Sequence, residues 1–138
     1  MEQKDYLKRE IEKIGLIMTA IRQKLFGGKG NTSISIENDF ENTKGMLLNN
    51  VNFDLDKFLN EDNESSNKYI STFSGFNIEN IEILGNYLMR LGINGEMINS
   101  IKYLEKSLLL FEHCNQIDKT YSTEREMNML KIREIIRD

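Results

Sequence analysis

The apolar positions of this chain fall at helical spacing almost throughout. Leu7, Ile11, Ile14, Met18, Ile21 and Leu25 recur at steps of four and three. That rhythm predicts a helix over residues 3–26 with one apolar stripe along about 30 Å of its length. Tyr6, Ile17 and Ala20 widen the stripe beyond a strict coiled-coil seam. Two uses of such a face stay open: packing on the chain's own core, or the seam of a homodimer. Gly27-Gly28 is expected to stop the helix, since glycine forms a left-handed C-terminal cap at no steric cost.

The middle of the chain is less regular. Ile34 to Leu48 predicts a weaker helix with Ile36, Phe40 and Leu47 inward and Glu37, Asp39 and Glu41 complementing its dipole. Gly45 inside it lowers its helical tendency. Asn49-Asn50 reads as a break, and Phe53 to Leu59 as a short helix. Glu61 to Asn67 has the composition of a solvated loop. Lys68 to Phe76 holds Tyr69, Ile70, Phe73 and Phe76 in what reads as one irregular helical turn.

The strongest pattern runs from Asn77 to Glu112. Asn77 is a good N-cap, and Ile78, Ile81, Leu84, Leu88 and Leu91 make an amphipathic helix that Gly92 is expected to end. Asn94 then caps a second helix with Met97, Ile101, Leu104, Leu108 and Phe111 on one face. Ile98, Leu109 and Leu110 broaden that face, as expected of a helix buried between two neighbours. After a turn over Gln116 to Tyr121, Ser122 or Thr123 caps a last helix over 122–137, and Thr123 with Glu126 fits the capping box. Met127, Leu130, Ile132, Ile135 and Ile136 are its expected docking face. The expectation is a single helical domain over residues 1–138.

Within the hairpin, Leu84-Gly85, Ser100, Leu104 and Ser107 carry a family resemblance. The segment resembles a tetratricopeptide repeat, whose pattern is Trp-x-x-Leu-Gly-x-x-Tyr, then Ala-x-x-x-Phe, then Pro. Ile81 stands at the tryptophan, Leu88 at the tyrosine and Leu104 at the phenylalanine, while Ser100 and Ser107 supply small residues. Glu112 replaces the closing proline, and the interval from Gly85 to Ser100 is longer than the repeat's by about three residues. One degenerate repeat, roughly a quarter of the chain, is covered. The last helix resembles the solvating helix that ends such arrays. The resemblance implies an all-α, right-handed array of antiparallel hairpins with about five or six helices, binding a protein or peptide in a concave groove. It also implies that Tyr69, Tyr87, Tyr103 and Tyr121 line that groove. The tyrosines read by themselves are equally half-buried residues keeping a hydroxyl wet. Asp5-Tyr6-Leu7, Ile11-Glu12 and Leu25-Phe26-Gly27 together resemble the start of small bacterial helical proteins, which supplies no activity.

Charge and chemistry mostly exclude. The chain of 138 residues has net charge −4. Seven basic residues against four acids in 1–30 are offset by eight acids against Lys44 and Lys57 in 37–64. An acidic chain with only a mildly basic start makes nucleic acid a poor partner. The single cysteine, Cys114, permits no internal disulfide and suits a reducing cytoplasm. Charges run through the first fifteen residues, so no secretory leader is expected, and no apolar run is long enough to span a membrane. Gly27 to Ser33 is glycine-rich, but Gln23 and Gly30 stand where a phosphate loop needs Gly and Ser or Thr. The acids of 61–67 lack the order of a calcium loop. His113 and Cys114 are adjacent and would point about 100° apart on a helix. One of each is too few for a zinc site, and Glu-x-x-His pairs for a di-metal site do not occur. No enzyme activity, cofactor or metal is expected. A protein-binding module leads, and a homo-oligomer joined through the first helix is the alternative.

Overall fold

A computed structural model describes the backbone of residues 2–27, 33–94 and 99–137 and the side chains of 5–23, 37–94 and 99–137. The fold is all-α. Its described elements are α1 (Glu2–Gly27), α2 (Ser33–Val51), α3 (Leu55–Asn60), α4 (Asn63–Ser71), α5 (Ile78–Asn94), α6 (Ser100–Ile117) and α7 (Thr123–Arg137). Among the described residues there is no strand, and no helix is long and apolar enough to cross a membrane. Residues 28–32, which make up most of the rejected phosphate-loop segment, lie outside what is described, as do the side chains of Leu25, Ile34, Ile36, Met97 and Ile98.

The α5–α6 hairpin is the centre. Its helices are antiparallel: Gly92 faces Leu104, Gly85 faces Phe111, and Ile78 faces Cys114. α1 packs on α5, α7 on α6, and α3–α4 on the other flank of α6, with α2 bridging α1 and α3. The stripe of α1 turns inward: Ile14, Met18 and Ile21 join Leu84, Leu88 and Leu110 in the main core. A second focus is Phe53, whose ring centre lies 5.0 to 5.9 Å from those of Phe58, Tyr69, Phe73 and Phe76. Phe58, Phe73 and Phe76 meet it tilted or edge-on and Tyr69 is stacked on it, arrangements that suit the ring quadrupoles.

Several boundaries differ from the sequence expectation. α2 runs through Asn49-Asn50 to Val51, and the chain turns at Asn52, whose φ of 62° is in the left-handed region that asparagine tolerates. The supposed loop at 61–67 is mostly helix, because Asp62 Oδ1 accepts the Ser65 amide at 2.7 Å and starts α4 at Asn63. Gly92 does not end α5, which continues to Asn94, and Asn94 therefore does not cap the next helix. Gly92 instead lets Leu104 approach. Asn99 precedes α6 without a side-chain cap bond. Asn77 caps α5 as expected, its Oδ1 accepting the Asn80 amide at 2.9 Å. Ser122, not Thr123, caps α7 by accepting the Arg125 amide at 3.2 Å. The inward residues of α7 are Met129 and Ile132, while Met127 and Leu130 are 66% and 58% exposed.

Candidate functional site: the cleft along α1, α5 and α7

Three helices lie side by side on one face and run the same way. Arg125 reaches Glu82 and Asn128 reaches Asn86, so residue numbers rise together along α7 and α5. On the other side Ile11 and Gly15 meet Asn80, while Arg22 lies by Glu82 and Asn86. α1 is therefore aligned with α5 as well.

Between α1 and α5 opens a cleft of about 730 Å³. Its α1 wall is Glu12, Leu16, Thr19 and Arg22, and its α5 wall is Glu79, Glu82 and Ile83, with Gly15 and Asn80 also lining it. Arg22 and Glu82 also border a smaller hollow of about 90 Å³ toward α7, lined further by Asn86, Glu124, Arg125 and Asn128. The two hollows share Arg22 and Glu82, and the pair of them is called the trough.

The trough is held by buried polar contacts. Asn80 is buried, and its Nδ2 donates to the Gly75 carbonyl at 3.1 Å and the Ile11 carbonyl at 3.3 Å, fixing α1 against the start of α5. Gly15 bares the base, where a Cβ would lie 3.7 Å from Asn80 Oδ1. Thr19 Oγ1 donates to the Gly15 carbonyl of its own helix at 2.8 Å. On the α7 side Arg125, only 3% exposed, is clamped by the Glu82 and Asp118 carboxylates and by Asn115 Oδ1 at 2.8 Å. Burial alone would lower its pKa, but the two carboxylates outweigh that and hold it raised. Asp118 is kept below the usual carboxylate range by the Thr120 amide and Arg125.

The trough is acidic with an apolar lip. Glu82 is paired with Arg125, which leaves Glu12, Glu79 and Glu124 against Arg22 along its lining. Leu16 stands 74% exposed at its edge.

The residues singled out from sequence are distributed otherwise. Tyr87 is buried on α5, and burial raises its pKa. Tyr69 stacks on Phe53, and its hydroxyl accepts the Asp54 amide at 2.9 Å. Tyr103 meets Phe40 edge-on at 5.5 Å, and Tyr121 is 74% exposed before α7. None of the four lines the trough. In the stripe of α1, Ile14, Met18 and Ile21 are covered by the chain itself, Ile11 is half-buried, and Leu7 is exposed; the side chain of Leu25 is outside the described residues.

His113 and Cys114 do not face each other. His113 Nδ1 lies 2.8 Å from Asn67 Oδ1, and burial lowers its pKa. The Cys114 thiol points at the Ile78 carbonyl, 3.8 Å away, and burial pushes its pKa up to about 12. Among the described residues no three His, Cys, Asp or Glu side chains gather to hold a metal. Sequence reasoning missed two buried cations, Arg125 and Lys106. Lys106 donates to the Glu61 carbonyl at 2.6 Å, Ser66 Oγ at 2.9 Å and Asn63 Oδ1 at 3.0 Å, pinning α6 to the α3–α4 junction. The partners of Lys106, and Glu82 for Arg125, stand some forty residues away in sequence, so position on the inner face of a helix is the signal that sequence offered for them. No protein-family model, curated protein or solved structure matches the chain.

Proposed function

We propose that the chain is a non-catalytic, tetratricopeptide-like module that binds an extended basic peptide in the trough formed by α1, α5 and α7. The carrying observation is the trough itself, an open acidic cleft of about 730 Å³ with a bare glycine at its base and an exposed leucine at its lip. Its size falls in the range of ligand sites, and charge complementarity selects a cationic segment. The side-by-side alignment of α1, α5 and α7 supports the array reading, in which aligned helices form the concave wall. So does the small-residue contact of Gly85 with Ser107 between the paired helices. A lone buried thiol suits a reducing, cytoplasmic setting.

A homo-oligomer through the stripe of α1 is less favoured, because Ile14, Met18 and Ile21 are already buried within the chain. The test is selection from a displayed peptide library, followed by affinity measurement. Enriched peptides should be rich in Lys or Arg and should lose binding on Ile83→Arg in the trough. They should keep it on Leu130→Arg, on the outward side of α7. Peptides without basic enrichment, or binding indifferent to Ile83→Arg, would refute the reading.

A further inference from the structure

Among the described residues, α7 contributes nothing to the main core. Its buried apolar residues, Met129 and Ile132, form a separate cluster with Met89, Leu104 and Phe111, edged by Leu108, Ile135 and Ile136. The α5–α6 hairpin thus has two apolar sides. Among the described residues, one is closed by the core from α1 to α4, and the other is closed by α7 alone.

The way α7 sits there is specific. Arg125, Met129, Ile132 and Ile136 follow at steps of four, three and four, which puts them on one helix face. Arg125 enters the clamp of Glu82 and Asp118 at one end of the strip, and the apolar residues follow along it. The rims add Asn128 Nδ2 to Asn86 Oδ1 at 3.2 Å and an exposed Arg133–Glu112 pair at 3.7 Å. This is the anatomy of a helix lying in a groove, read through anchors at fixed helical steps. The strip therefore carries an imprint of its ligand: one arginine, then apolar side chains four, seven and eleven positions later.

We propose that the strip of Met89, Leu104 and Phe111, with its Glu82–Asp118 clamp, is a binding site for an amphipathic helix of a partner protein bearing that pattern. α7 is its exchangeable internal occupant. The site lies beneath α7 and shares Glu82, Arg125 and Phe111 with the smaller hollow, but it does not use the cleft between α1 and α5 that carries the peptide-binding reading, so the inference stands without that reading. Because the α7 cluster is separate, α7 can lift while the main core stays closed, a local opening below the cost of global unfolding. A partner helix then binds with an affinity reduced by the fraction of molecules in which α7 is open.

The experiment uses the full chain and a labelled synthetic peptide with the sequence of residues 121–138, read by fluorescence anisotropy, with hydrogen exchange on the same samples. Amides of α7 should exchange at least about tenfold faster than those of α5 and α6. The peptide should bind the wild-type chain weakly and the Arg125→Ala chain at least about tenfold more tightly, because that variant's own α7 is loosened. A peptide carrying the Arg125→Ala change should lose that affinity. If the Arg125→Ala chain does not fold, the rim variant Asn128→Ala/Arg133→Ala gives the same comparison. The proposal is overturned if α7 exchanges in step with α5 and α6 and the peptide binds neither chain. It is also overturned if peptide binding is unaffected by Leu104→Glu. A concentration-dependent dimer that exchanges α7 and excludes the peptide would overturn the separate partner and assign the strip to a second copy.

Discussion

Ser107 on α6 donates its hydroxyl to the Gly85 carbonyl on α5 across 2.6 Å. That bond is possible because the two helices approach closely at small residues. A Cβ at position 85 would stand 3.0 Å from the Phe111 ring, and one at 92 would stand 2.5 Å from Leu104 Cγ. The hairpin that centres the fold is thus fitted to glycines on one helix and to serine, leucine and phenylalanine on the other.

Two glycines should respond oppositely to an added methyl group. Gly92→Ala forces Leu104 aside and meets the Ser100 carbonyl at 3.0 Å, so it should destabilise by about 1–3 kcal/mol. Gly45 lies within α2 with nothing within 4 Å of an added Cβ, so Gly45→Ala should stabilise by about 0.5–1 kcal/mol through helix propensity. Urea denaturation of both variants checks the pair. The same sign for both would show that packing at 92 is looser than described.

Arg125→Ala leaves the half-buried Glu82 without its partner and should cost about 2–4 kcal/mol. Replacing both, as Arg125→Met with Glu82→Gln, should recover part of that loss, because only the Asp118 carboxylate then remains without its partner. A double-mutant cycle by chemical denaturation reads the coupling.

His113 sets a pH dependence. Burial holds its folded pKa below the unfolded value near 6.5. Between those values the unfolded chain binds more protons, so stability rises with pH. Its contribution is complete above about 6.5 and declines as pH falls below that value. Asp62 and Asp118, both held low by hydrogen bonds, lose their contributions only in more acid solution. Urea midpoints should therefore fall from pH 7 to pH 5, and His113→Gln should flatten that slope. An unchanged slope would remove His113 from the account.

Cys114 should be inert in the folded chain. Burial pushes its pKa up to about 12, leaving scarcely any thiolate near neutral pH. A disulfide reagent should label it only at the rate at which the protein opens, and promptly in denaturant. Fast labelling of native protein would contradict the packing of α6 against the start of α5.

Helical class and the central hairpin were legible because Ile14, Met18 and Ile21 on α1, and Ile81, Leu84 and Leu88 on α5, repeat at helical steps and are buried. Asn77 was legible as a cap because its side chain acts on its own next turn. The α4 segment was not, since its polar composition hides Asp62 as a cap and Ser66 as an inward residue bonded to the Phe58 carbonyl at 2.5 Å. Gly92 misled because a glycine that ends a helix and one that admits a neighbour look alike in sequence. On α7 the apolar residues spread around much of the helix, so Met127 and Leu130 could not be told from the buried Met129. The trough was invisible because it depends on which polar residues α1, α5 and α7 bring together, and no local pattern encodes that.

The most direct test of the account follows backbone amide shifts of the full chain during titration with a lysine- and arginine-rich peptide, and with its acidic counterpart. The account predicts saturable changes at Glu12, Leu16, Thr19, Glu79 and Ile83 with the basic peptide alone, weakened by added salt and abolished by Glu12→Lys/Glu79→Lys. Changes scattered over α2 to α4, or equal responses to both peptides, would contradict it.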